Sequence, residues 1–176
     1  MATGGAAKLR FRQPRWRAGP VVAGRWRMGR FLSTFQARLD SKGRVSLPAA
    51  FRAVLEADGH PGVFLHPALE QPAIEAGGNR LLEEIDGLIG RFSPYSEARD
   101  GIATVLLGQA EIVKLDPEGR LVLPERLKAH AGISASLVFV GLGEKFRIWA
   151  PEKFAAHLEE ATSNVRAVRA GLSRNG

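Results

Sequence analysis

The 176-residue sequence contains no cysteine. That excludes disulfides, thiolate-ligated zinc and thiol catalysis, and it fits a reducing compartment. No apolar run approaches the roughly 20 residues needed to span a bilayer. The four histidines, His60, His66, His130 and His157, are scattered. No two stand four residues apart and no carboxylates gather around them, so no metal site is expected. There is no Gly-x-Ser-x-Gly elbow and no Walker loop, and Gly141-Leu142-Gly143 lacks the third glycine and the following helix of a dinucleotide fingerprint. Nothing points to an enzyme, a cofactor or a small-molecule substrate. Acidic residues are absent from positions 1–27, where Lys8, Arg10, Arg12, Arg15, Arg17, Arg25 and Arg27 carry a charge equal to the formal +7 of the whole chain. The remainder is neutral, so a case for a polyanionic partner has to rest on where the charges sit.

The basic leader shows no period, no caps and no apolar face. It reads as a disordered extension over 1–27. Three origins stand open: an over-long start with Met28 as the first residue, a basic arm adding phosphate contacts, or a targeting peptide without a secretory apolar region.

What the chain does hold is a repeat. Leu39-Asp40-Ser41-Lys42-Gly43-Arg44-Val45-Ser46-Leu47-Pro48 recurs, 76 residues on, as Leu115-Asp116-Pro117-Glu118-Gly119-Arg120-Leu121-Val122-Leu123-Pro124. Each block predicts a strand, a tight turn, a second strand and a helix start, hence a local β-hairpin. Alternation marks the strands, Asp and Gly supply turn chemistry, and Pro suits a first helical turn. Helices are expected over Ala49–Leu55, ending near Gly59, and from Pro124 to about Ala131. Strands follow at Val63–His66 and Ser136–Leu142, the latter pairing with Lys145–Trp149. A partner near Ala73–Ala76 is compromised by Pro67 and Pro72. Leu81, Leu82, Ile85, Leu88 and Ile89 form a helical stripe, a linking helix spans Ser96–Leu107, and a last helix starts at Pro151 with Phe154, Leu158 and Ala161 on one face. The expected organisation is a first unit over 28–90, a connecting helix within 91–107, a second unit over 108–161, and a polar tail over 162–176 that frays.

Strand parity directs the charges. Ala37, Leu39, Val45 and Leu47 share one face, which leaves Arg38 and Arg44 on the other. Val113, Leu115, Leu121 and Leu123 do the same, leaving Lys114 and Arg120 outward. Lys42 adds a cation to the first tip, where the second has Glu118, so unequal contributions to an anionic ligand are expected. Asp40 with Arg44, and Asp116 with Arg120, stand four apart. From chemistry alone they are either ion pairs that staple a turn, where exposed pairs add little, or carboxylates that orient an Arg toward phosphate or a guanine edge. The Arg neighbour favours the ionised carboxylate, which argues against acid catalysis. Trp149 reads as a core or interface anchor. A symmetric oligomer would multiply the contacts.

The doubled Asp-x-x-Gly-Arg block, with Met28-Gly29-Arg30-Phe31 ahead of it, resembles the MraZ family of the AbrB-like superfamily of bacterial transcription factors. The likeness runs from about Gly29 to Glu160. It implies an α+β fold in which two AbrB-like hairpin/helix repeats interleave into a swapped-hairpin, double-psi-like β-barrel with flanking helices. It implies a ring-shaped homo-oligomer that binds short direct repeats in double-stranded promoter DNA. It also implies repression of the division and cell-wall gene cluster and a cytoplasmic, nucleoid-associated location. Carried over, the motif puts Asp40, Lys42, Arg44, Asp116 and Arg120 at the DNA face; Arg30, Arg38 and Lys114 join them by position and strand parity. The stretch from His66 to Gly78 departs from the family pattern that Phe146-Arg147-Ile148-Trp149 keeps. An AbrB-like antitoxin or protein-binding module is the competing reading, against which two units and helical closure argue.

Overall fold

A computed structural model describes residues 29–59 and 62–172; the basic leader and its three readings lie outside them. The first half runs β1 (Thr34–Arg38), β2 (Arg44–Ser46), α1 (Ala49–Asp58), β3 (Val63–Pro67), β4 (Ala73–Gly77) and α2 (Asn79–Ile89). After α3 (Glu97–Leu106), the second half gives β5 (Glu111–Val113), β6 (Arg120–Val122), α4 (Glu125–Ala131), β7 (Ser136–Gly141), β8 (Phe146–Trp149) and α5 (Pro151–Leu172). Pro48 and Pro124 stand just ahead of α1 and α4, and Gly59 and Gly132 end those helices in the left-handed conformation. Ser96 starts α3 by accepting the Arg99 backbone N–H.

The strands form a six-stranded antiparallel sheet in the order β1-β7-β8-β4-β3-β5 and a separate two-stranded ribbon of β2 with β6. This corrects the expected local hairpins. The Asp40 N–H donates to the Arg44 carbonyl at 2.8 Å, so the chain does turn. Beyond the turn, however, β1 pairs with β7, from Thr34 across Val140 to Arg38 across Ser136, while β2 pairs with β6. In the second half β5 pairs with β3 rather than with β6. Alternation and a glycine turn specify a reversal of direction and say nothing of the partner strand. A lone two-stranded hairpin is marginal in water. Crossing the halves instead buries Val45, Leu47, Leu121 and Leu123 in a shared core. The ladders do not close into the expected barrel: β1 and β5 remain the edges of the large sheet.

The helices cross over too. Phe51 of α1 meets Phe31 and Phe35 of its own half, with ring centroids 5.2 and 5.3 Å away, and Phe146 and Phe139 of the other, at 4.9 and 6.3 Å. In return α4 packs on β3 and β4. One cluster therefore draws on both halves. A second cluster forms where Leu81, Ile85 and Ile89 of α2 and Leu106 of α3 cover Phe64. Trp149, fully buried, anchors a third with Ala68 and Ala73 and stacks on His157 at 4.7 Å.

The stretch that departs from the family pattern is well built. β4 exists and is buried along its whole length, because Pro72 lies just outside it and Pro67 is the last residue of β3. α5 continues to Leu172, through most of the stretch expected to fray. Glu152 to Ala170 contains neither Gly nor Pro to stop it. Among the described residues no helix is long and apolar enough to cross a membrane.

Candidate nucleic-acid interface

Each motif builds the same turn. Asp40 Oδ1 accepts the backbone N–H of Lys42 at 2.8 Å and of Arg44 at 2.9 Å, and Oδ2 accepts Nε of Arg44 at 2.7 Å. Asp116 repeats this with Glu118 N–H at 3.0 Å, Arg120 N–H at 2.9 Å and Arg120 Nε at 2.8 Å. Gly43 and Gly119 take the positive φ the reversal needs, 71° and 75°. The donors favour ionised acids. The Arg44 backbone N–H, helped by the Arg44 guanidinium and the Lys42 N–H, brings the Asp40 carboxyl down to about 2. The Arg120 N–H leads the same effect at Asp116. Arg120 is raised above its usual value, first by its hydrogen bond to Asp116, and it also feels Asp40 from the other motif.

That long-range influence reflects the ribbon. Val45 faces Leu121, and both are buried; Arg44 faces Val122 and Ser46 faces Arg120 on the outer side. Arg44 and Arg120 are thus diagonal neighbours, roughly 7–8 Å apart at the backbone. The two turns sit at opposite ends of the ribbon. The Leu47 N–H reaches the Gly119 carbonyl at 3.0 Å and the Leu123 N–H reaches the Gly43 carbonyl at 3.4 Å. Asp40, Lys42, Arg44, Asp116 and Arg120 therefore share one surface. Among the described residues neither Nη group of Arg44 has an acceptor. Fixing Nε against a carboxylate leaves a planar pair of donors unclaimed, the fork that suits a phosphate or a guanine edge.

The remaining expected residues divide. Arg38 and Lys114 are exposed on the outer face just ahead of their turns, as parity requires. Arg30 is elsewhere. Phe31 bridges Gly143 at the β7–β8 turn, whereas Arg38 lies across Ser136. Along β7 that is roughly 20 Å away at about 3.3 Å per residue. There Arg30 pairs with Glu144 at 3.4 Å, beside Arg80, which also holds Glu144 and Asp58.

Two cations escaped the reading of the sequence. Arg52 of α1 packs under the Gly119 turn and donates to the Leu47 carbonyl at 3.0 Å. Lys128 of α4 lies beside Gly43 and pairs with Glu125. Each lies against the turn of the opposite half. They are 76 residues apart, the repeat offset, so carrying the comparison of the two copies past the prolines would have found them.

Residues 106–174 match a family model described as "MraZ protein, putative antitoxin-like". The chain is 57% identical over 145 residues to a protein named Transcriptional regulator MraZ from Xanthobacter autotrophicus, covering 82% of this chain and 92% of that one. A protein of the same name from Beijerinckia indica is 56% identical over 146 residues, 83% of this chain and 89% of its own. Another from Parvibaculum lavamentivorans is 43% identical over 143 residues, 81% and 89% of the two.

Proposed function

Because this chain belongs to the MraZ family, we propose that it regulates transcription by binding double-stranded DNA, with the β2–β6 ribbon and its two turns as the contact surface. The observation that carries the reading is the arrangement around Arg44. A carboxylate holds its Nε, its two Nη groups have no acceptor among the described residues, Lys42 is exposed in the same turn, and Arg38 and Lys114 are exposed just ahead of the two turns. Lys42, Arg38 and Lys114 supply phosphate contacts, which position the protein, while Arg44 reaches base edges, which specify the site; Asp40, Asp116 and Arg120 complete the DNA face. One chain offers few such contacts, so a ring-shaped homo-oligomer on short direct repeats supplies the avidity. The crossed strand pairing favours an interleaved, swapped-hairpin core behind the ribbon. Repression of the division and cell-wall gene cluster, in the cytoplasm at the nucleoid, completes the reading, on the strength of the family resemblance.

The test is an electrophoretic shift with the DNA upstream of the chain's own gene, run across a range of salt. Arg44→Ala is expected to cost about 1–3 kcal/mol, roughly 5–150-fold, and to relax discrimination between sequences. Lys42→Ala is expected to weaken all duplexes alike and to flatten the salt slope by about 0.9. Absence of any sequence-specific shift refutes the proposal.

A further inference from the structure

The two turns are related by a pseudo-twofold axis through the ribbon, but their charges are not. The counterpart of Lys42 is Glu118. Its carboxylate closes on Nη2 of Arg120, whose Nε already belongs to Asp116. Arg120 therefore lies between two acids, whereas Arg44 has one and keeps both Nη groups open. Arg52 and Lys128 do not restore the balance. Arg52 is tied to the Leu47 carbonyl under the second turn, and Lys128 to Glu125 beside the first. Donors that can meet a phosphate are concentrated at the first turn. At the second, Glu118 occupies one donor and itself repels phosphate.

A surface with true twofold symmetry sits on a duplex equally well in either of two orientations, which is why symmetric proteins pair with palindromic sites. We infer that Glu118 is an orientation-determining residue: it mutes the second turn, so that each chain seats on duplex DNA with a single polarity, the Lys42–Arg44 turn making the closer contacts. This rests on the DNA-binding reading above. It adds that the duplication is used asymmetrically, and that one acidic side chain enforces the asymmetry.

The lack of cysteine makes the test clean. Ser41, exposed in the first turn, becomes the sole thiol in Ser41→Cys and carries a tethered iron–EDTA group that cuts nearby DNA. On the duplex from upstream of the chain's own gene, cleavage is expected on one side of each protected segment. With Glu118→Lys added, cleavage is expected on both sides. That change frees Arg120 and adds a lysine, two new phosphate contacts, each steepening the dependence of log K on log salt by about 0.9. Relative to the parent, the variant's affinity advantage then shrinks about twelvefold between 50 and 200 mM salt. Glu118→Gln, nearly isosteric, is expected to give about half that slope change and serves should the lysine variant fold poorly. Two-sided cleavage by the parent, or one-sided cleavage with an unchanged salt slope in both Glu118 variants, overturns the inference while leaving specific DNA binding intact. Failure of the parent to shift this duplex specifically overturns both.

Discussion

Glycine replacements at three turns separate backbone strain from the bracing of one half by the other. Gly59, Gly43 and Gly119 all have φ near +70°, where an L side chain costs about 1–2 kcal/mol. Around Gly59 nothing lies within 4 Å of an added Cβ, and at Gly43 the nearest atom is Nζ of Lys128 at 3.7 Å, an ordinary contact. At Gly119 the new Cβ runs into the Arg52 guanidinium and would lie 2.7 Å from its Cδ. Arg52 has to move, and the bond it donates to the Leu47 carbonyl goes with it. A hydrogen bond from a charged donor contributes about 1.5–3 kcal/mol. Gly59→Ala and Gly43→Ala are therefore expected to cost about 1–2 kcal/mol, and Gly119→Ala about 2.5–5 kcal/mol. In urea, with m near 2 kcal/mol/M, those losses lower the midpoint by about 0.5–1 M and about 1.3–2.5 M. In an Arg52→Ala background the Gly119→Ala penalty should fall back to that of Gly59→Ala, a coupling of about 1.5–3 kcal/mol in a double-mutant cycle. If Gly119→Ala is no more damaging than Gly59→Ala, or the cycle closes without coupling, Arg52 does not brace the second turn.

Three further outcomes follow from the geometry. Phe51→Ala removes a ring touching four others from both halves and is expected to cost about 3–5 kcal/mol, roughly a 10 °C fall in the calorimetric midpoint; the unfolding should remain a single transition, and two resolved transitions would show that the halves fold apart. The turns should resist acid: Asp40 is held at about 2, so its contribution is complete above about pH 4 and is lost as pH falls toward 2, and the Lys42 and Arg44 amide resonances should titrate near 2 rather than near 4. His66 is buried, with Nδ1 at 2.9 Å from the Pro67 carbonyl, Nε2 without a hydrogen bond, and its pKa lowered chiefly by that burial. Below about pH 6.5 the unfolded chain takes up a proton that the folded one refuses, so the urea midpoint should drop between pH 6.5 and 5, and His66→Asn should flatten that dependence.

The sequence made the local grammar plain. The duplicated block, the proline-led helices, the α2 stripe and the outward parity of Arg38, Arg44, Lys114 and Arg120 all depend on neighbours within a few residues. Strand partnership was hidden because alternation at Val45 and Leu121 is equally compatible with a hairpin and with the ribbon; the choice is made by a core assembled from residues 76 positions apart. Arg30 was misplaced for a related reason. It lies close to the motif in sequence, but the antiparallel run of β1 along β7 carries it to the far end. Arg52 and Lys128 were legible in principle, since they recur at the repeat offset, and were passed over because each sits on a helix facing the other copy's turn.

The crossing of strands also bears on how the molecule is made. β1 closes only on residues 136–140, about a hundred positions further along the chain. At roughly 5–20 residues per second of synthesis, Phe35 and its strand wait about 5–20 s without the partner they will have in the finished molecule. Throughout that interval an unpaired strand edge protrudes from the ribosome. The β7 of a neighbouring nascent chain is chemically identical to the one still unmade, so closure between chains competes with closure within one.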